Sequence, residues 1–389
     1  MKYKNQLLST ITISILLLGS CGQNASKSTS ESKDSSKIET AEAQQPKDSA
    51  ALAIQNLTDI ANFVTGLPVT KGTELDGLTQ TPEWSDYAAE AKTAWTRFDS
   101  IASKYNSFSK SQITAPYDTI KTLFYPFSGP DFLFANIMFP NVDKMILIGL
   151  EGPGSLPQIN NGVKDSLKKI LEMYKVAIED VTQLSFFRTI DMKNELGNKA
   201  IDGTAPIILL FLAKSGKEIV DFKLKNLNHK GELINVSENK EAIAVEIKYR
   251  NKGESKIKSV IYLSTNLADP TLSKNIPFVN FLKNVDNNCV TFVKSATYLM
   301  HKSYFSIIRN TCLEKSAMIL QDDSGIGYKY FDKDKWNIQL YGTYSKPIKL
   351  FEDFFEPDYL KAFKDTKVKK LGFRIGYSPK SNLLMAKRK

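Results

Sequence analysis

Eight residues of catalytic or ligand-holding type lie just past the ends of four short apolar runs. Ser128 and Asp131 follow Thr122–Phe127 in the break Ser128-Gly129-Pro130-Asp131, and Glu151 follows Met145–Leu150. Lys294 and Ser295 follow Cys289–Val293, while Asp322, Asp323 and Ser324 follow Ser316–Gln321. If the four runs are parallel strands of one sheet, their carboxyl ends meet along one edge, where α/β proteins place their ligands. Carboxylates gathered around a lysine can hold a polar ligand, bind a metal, or shift one another's pKa far enough for acid and base work. Asp131, Glu151, Asp322 and Asp323 are then the acid–base candidates, with Ser128 a candidate nucleophile. Ser128, Asp131, Glu151, Lys294, Asp322, Asp323 and Ser324 are the ligand-binding set. The same residue types also serve as helix caps and turns, which need no ligand at all.

His301 falls in an apolar segment after Lys294, read as a helix over Ser295–Lys315. It is either a further catalytic candidate or a hydrogen-bonded core residue, with Tyr298 and Tyr304 as partners. Arg309, further along, is expected to pair with a carboxylate if it is buried. The chain has no phosphate-binding glycine loop, no G-x-S-x-G, no H-E-x-x-H and no C-x-x-C. With two histidines and, past Cys21, two cysteines, the expectation is neither a metal nor a cofactor.

The surrounding patterns define an α/β body over residues 51 to 389. Helical spacing covers 51–65, a capped helix begins at Thr81-Pro82, and a long helix runs from Val163 to Leu184 with a separate helix over 185 to 198. The unbroken run Ile207–Ala213 reads as a buried helix. Between 217 and 264 the period changes to two, giving an antiparallel meander with one wet face. Helical spacing returns at Asn275–Val285, followed by strands at Trp336–Tyr341 and Leu371–Ile375 and a short helix near Pro357–Phe363. The expected fold is therefore α/β, a mixed sheet with strand-helix-strand units, flanking helices and the meander at one side.

The net charge of +10 is unevenly spread. Residues 361–389 hold ten Lys or Arg against Asp365 alone, and apart from these and Lys2 and Lys4 the chain is close to neutral. The basic segment is read as a solvated tail or as a contact for anionic lipid or an acidic partner. No basic stripe interleaved with aromatics points to nucleic acid.

Residues 1–20 have the form of a signal peptide: Lys2 and Lys4, then the apolar run Leu7–Leu18, too short to span a bilayer. Its end, Leu18-Gly19-Ser20-Cys21, resembles the lipobox of bacterial lipoproteins. That resemblance implies cleavage before Cys21, a lipid on its sulfur, and attachment to a membrane of the cell envelope. Gly22 in place of an aspartate tilts the expectation to the outer membrane. Residues 21–50, almost without bulky apolar side chains, form a flexible tether with an r.m.s. reach of about 30 Å. In an oxidising envelope Cys289 and Cys312 are either a disulfide, adding about 3 kcal/mol, or two buried thiols.

The body resembles a group of uncharacterised bacterial envelope proteins. The likeness rests on Tyr125-Pro126-Phe127-Ser128-Gly129-Pro130-Asp131, Glu151-Gly152-Pro153-Gly154, Tyr298-Leu299-Met300-His301 and Gln321-Asp322-Asp323-Ser324-Gly325. It implies a recurring architecture behind a lipid anchor and no particular activity. The expected function is a binding or scaffold role with a polar cleft at the strand ends; the alternative is a carboxylate-dependent hydrolase, with or without the assistance of a metal.

Overall fold

The computed structural model describes residues 45–114, 119–184, 197–198, 201–236 and 241–389. Cys21 and the expected signal and tether up to residue 44 lie outside these residues. So do residues 185–196 of the helix expected over 185 to 198.

The strands are β1 (Thr122–Tyr125), β2 (Lys144–Gly149), β3 (Gly197–Asn198), β4 (Ile201–Asp202), β5 (Lys217–Leu227), β6 (Leu233–Asn235), β7 (Ala244–Asn251), β8 (Lys258–Ser264), β9 (Cys289–Val293), β10 (Ser316–Gln321), β11 (Trp336–Gly342) and β12 (Asn382–Arg388). All but the small β3–β4 pair join one sheet in the order β11-β12-β10-β9-β1-β2-β8-β7-β5-β6. The five central strands, β10, β9, β1, β2 and β8, are parallel. Antiparallel β12 and β11 close one side, and the meander β7-β5-β6 continues the other. The fold is the expected mixed α/β sheet, and β1 lies beside both β2 and β9.

Buried side chains alternate between the two faces of the central strands, as the strand period requires. Leu123 and Tyr125 of β1 enter one hydrophobic core, while Phe124 enters the other. The first face is covered by α1 (Gln45–Thr65), α2 (Glu74–Thr79), α3 (Pro82–Phe108), α4 (Phe132–Met138), α5 (Leu167–Leu184) and α6 (Ala205–Lys214). The second is covered by α7 (Asp269–Leu272), α8 (Ile276–Asn284), α9 (Ser306–Lys315) and α10 (Pro357–Asp365). Thr81 caps α3 by accepting the Trp84 amide, with Pro82 in the first turn as expected. Residues 205–213 of α6 are all buried, which explains why its apolar run has no periodicity.

Three expectations change. Helix α1 begins at Gln45, inside the stretch assigned to the tether. The segment after β9 is not one helix: two short 3₁₀ turns, Leu299–His301 and Ser303–Phe305, precede α9. Residues 371–375 form no strand; the last strand is β12, inserted between β10 and β11. The final basic residues are therefore no free tail. Arg388 donates to the carbonyls of Ser316, Leu313 and Glu314, capping the C-terminal end of α9, and stacks on Trp336. Of the two readings of Cys289 and Cys312, the structure has the second, two free buried thiols. Cys289 Sγ lies 3.7 Å from the Lys315 carbonyl and 3.9 Å from Ser316 Oγ.

Candidate functional site

From β1 the chain moves to β2 and β8 on one side, then returns to place β9 and β10 on the other. The connections therefore diverge between β1 and β9, leaving a crevice at their carboxyl ends. A cavity of about 330 Å³ occupies that position. The β1 loop supplies Tyr125, Phe127, Ser128, Gly129 and Asp131, and the end of β2 supplies residues 148 to 151. Thr265, Asn266 and Leu267 come from β8, residues 294 to 297 and Leu299 from β9, and Phe305 and Tyr377 complete the lining. Gly149 leaves room here: a Cβ at this position would lie 2.6 Å from the Tyr262 hydroxyl and 3.2 Å from Glu151 Oε2.

The two strand-helix-strand units meet through one buried pair. Lys294 Nζ lies 2.8 Å from Asp131 Oδ2, with side-chain exposures of 1% and 5%. Asp131 Oδ2 also accepts from the Tyr125 hydroxyl at 2.9 Å, and its Oδ1 caps α4 through the Phe134 amide at 3.2 Å. The ammonium group stands 3.7 Å from the centre of the Phe134 ring. Burial pushes the Asp131 carboxyl up and the Lys294 amine down, and each partner's charge opposes the shift. Whichever group holds the proton, the pair is neutral overall.

Ser128 is placed at the cavity but its hydroxyl is a structural pin. It accepts from the Ile148 amide at 3.0 Å and reaches the carbonyls of Gly129 and Ile148, tying the β1 loop to β2. Glu151 also lines the cavity, and its Oε2 accepts the Leu150 amide at 3.2 Å.

Asp322, Asp323 and Ser324 stand behind the β9 loop and are not part of the lining. Asp322 Oδ2 accepts the Ser295 amide at 2.8 Å, and its Oδ1 accepts the Ser324 amide at 2.9 Å and hydroxyl at 2.5 Å. The Ser324 hydroxyl in turn accepts the Ala296 amide at 2.7 Å. Asp323 accepts from Tyr298 and from Asn382 Nδ2. Burial, with the neighbouring Asp323 charge, raises the Asp322 carboxyl above the ordinary range; burial also raises Asp323. Gly376 is required at φ +75°, because a Cβ there would lie 2.4 Å from Asp322 Oδ2.

His301 is a core residue beside this cluster. Its Nε2 lies 3.2 Å from the Asp323 carbonyl, its Nδ1 3.8 Å from Glu356, and its ring packs edge-on to Tyr298 and Phe354. Burial lowers its pKa to about 4. Neither tyrosine is the expected hydrogen-bonding partner of the imidazole: Tyr298 meets it ring to ring and gives its hydroxyl to Asp323, while exposed Tyr304 packs on Phe305. Arg309 pairs with no carboxylate among the described residues, contrary to the expectation: it donates to the carbonyls of Met300 and Lys302 and stacks on Tyr330.

No protein-family model and no curated protein matches this chain. The candidate site is defined by geometry alone: a cavity, a neutral buried pair, a carboxylate at the rim, and a second acidic cluster that holds the wall. Among the described residues, no group of three or more His, Cys, Asp or Glu is placed to hold a metal ion. The sequence signal missed Tyr377, which donates to the Ser295 carbonyl at 2.5 Å, and Phe127, Leu267 and Phe305, which form the apolar wall. Strand-end position marks the polar residues, but apolar ones at loops carry no comparable mark.

Proposed function

We propose that this chain is a ligand-binding protein of the bacterial cell envelope, tethered by a lipid on Cys21, and that its ligand is small and part apolar. The observation that carries the binding reading is the cavity at the β1–β9 switch point, whose size and mixed lining suit a small molecule. The anchor rests on the lipobox-like Leu18-Gly19-Ser20-Cys21, and the outer membrane is favoured by Gly22.

Hydrolysis has less support. It needs carboxyl groups or a nucleophile facing one open space, with hydrogen-bonding capacity left for substrate. Ser128 is committed to backbone, Asp131 to Lys294, and Asp322 and Asp323 to the wall behind the cavity. Docking of lipid or an acidic partner through residues 361–389 is also less supported, because β12 and Arg388 are built into the sheet.

A thermal-shift screen of the purified protein against small amphipathic compounds tests binding. A ligand at about 100 times its Kd stabilises by about 2.7 kcal/mol. Thr265→Trp, which fills the lining, should abolish that shift while leaving the unliganded melting temperature within a few degrees. Equal shifts in both proteins would overturn the cavity as the site. Anchoring is tested by labelled palmitate: Cys21→Ala should lose the label and leave the membrane fraction, and retention of both would refute it.

A further inference from the structure

We propose that the cavity selects a cationic ligand, an amine or ammonium group carried on an apolar body, and that Glu151 is the residue that selects it. This inference rests on the binding reading above.

Among the described residues, three charged side chains line the cavity: Asp131, Glu151 and Lys294. Asp131 and Lys294 cancel, joined at 2.8 Å and almost wholly withdrawn from solvent. The charge left over is Glu151. Its side chain is half-buried, and its hydrogen bond is the one from the Leu150 amide to Oε2. The adjoining lining is apolar, including Phe127, Leu267 and Phe305, while the nearby polar groups Thr265 and Asn266 are uncharged. Phe127 and Phe305 pack edge-to-face, their centres 5.9 Å apart. A carboxylate beside aromatic and aliphatic surface attracts a cation through its charge, and the ring faces add to that attraction. An anionic ligand would meet the same carboxylate as repulsion, in a space too apolar to screen it well.

Leu150 adds a second feature of the ligand. It lines the cavity yet is 60% exposed, so apolar surface continues from the lining to the outside. A ligand whose chain leaves the cavity along Leu150 would bury that surface, which favours an alkyl body over a compact polar one.

The test uses octylammonium, octanol and octanoate as matched probes of one chain length, with calorimetric titration of the purified protein at pH 7 and low salt. Octylammonium should bind at least tenfold more tightly than octanol, and octanoate more weakly than either. Glu151→Gln, which keeps an acceptor for the Leu150 amide, should bring octylammonium to within about threefold of octanol. Glu151→Lys should reverse the order and favour octanoate. Equal affinity for all three probes, or an order unchanged in Glu151→Lys, overturns the charge selection while leaving a binding cavity in place. Absence of binding by all three overturns the binding reading and this inference together. Melting curves on both variants separate a lost site from a lost fold, and Glu151→Gln is decisive if Glu151→Lys does not fold.

Discussion

Replacing Lys294 by methionine isolates the energetics of the buried pair. The methionine fills most of the lysine's volume and leaves Asp131 with the Tyr125 hydroxyl and the Phe134 amide as partners. An unpaired carboxylate at this depth costs about 3–5 kcal/mol. The protein can escape part of that cost by protonating Asp131, which from an ordinary pKa of 3.8 costs about 4 kcal/mol at pH 7. The two figures agree, so Lys294→Met should lose about 4 kcal/mol at pH 7. Because protonation becomes easier by about 1.4 kcal/mol per pH unit, the gap to the parent should shrink by about 2–3 kcal/mol at pH 5. The sign follows from the raised carboxyl: its penalty is absent below the unfolded pKa and grows as pH rises toward the folded one. The double variant Asp131→Asn/Lys294→Met has no buried charge and keeps an amide oxygen to cap α4. It should lie within about 2 kcal/mol of the parent and be insensitive to this pH change. Urea unfolding followed by far-UV circular dichroism measures all three proteins. A single variant within about 1 kcal/mol of the parent at pH 7, or a double variant no better than the single, would refute the reasoning.

Other consequences are as concrete. His301 is held neutral at a pKa of about 4 against 6.5 when unfolded, so its contribution is present above pH 6.5 and is lost as pH falls through about 4. Between pH 7 and 5 that loss is about 2 kcal/mol, and His301→Phe should lose that much less stability over the same interval in urea titrations. Asp322→Asn keeps an oxygen for Ser324 but turns an N–H toward the Ser295 amide. It should cost about 1–3 kcal/mol and speed hydrogen exchange selectively at residues 295–298. Deleting residues 382–389 removes a strand with ladder bonds on both sides, so the truncated protein should fail to fold, as read by circular dichroism. A merely solvated tail would be lost without effect.

The fold was legible where burial was one-sided. The meander alternates because one face is wetter than the other, and α3 carries a threonine cap and a proline at its start. Strand β12 was hidden for the opposite reason. Residues 382–386 are all buried, so the strand has no alternation, and the Lys387-Arg388-Lys389 that follows reads as tail. The segment after β9 was read as helix because residues 296–308 are largely apolar, but Ser295, Thr297 and Tyr298 adopt left-handed φ angles that break it. No single residue type signals that break. For the site, the strand-end rule located Ser128, Asp131, Glu151 and Lys294 around one cavity. It could not tell that β10's acidic loop stands one layer back, because that depends on the packing of residues 294–298 over it.

That packing bears on function. Among the described residues, five that are not glycine have positive φ, and four of them, Phe127, Ser295, Thr297 and Tyr298, border or line the cavity. Each costs about 1–3 kcal/mol and persists only where its surroundings over-determine it. Those surroundings are visible: Asp322 holds the Ser295 amide, Ser324 the Ala296 and Tyr298 amides, Asp323 the Tyr298 hydroxyl, and Tyr377 the Ser295 carbonyl. A loop serving only to connect two elements would relax into ordinary angles and leave the acidic residues at the surface, where their ionisation costs nothing. Instead, buried carboxylates with raised pKa values fix a strained wall of the cavity that Glu151 also lines. The hydrogen bonds of the acidic cluster are thus spent on holding the cavity wall, which leaves the cluster little capacity to act as a second set of reacting groups.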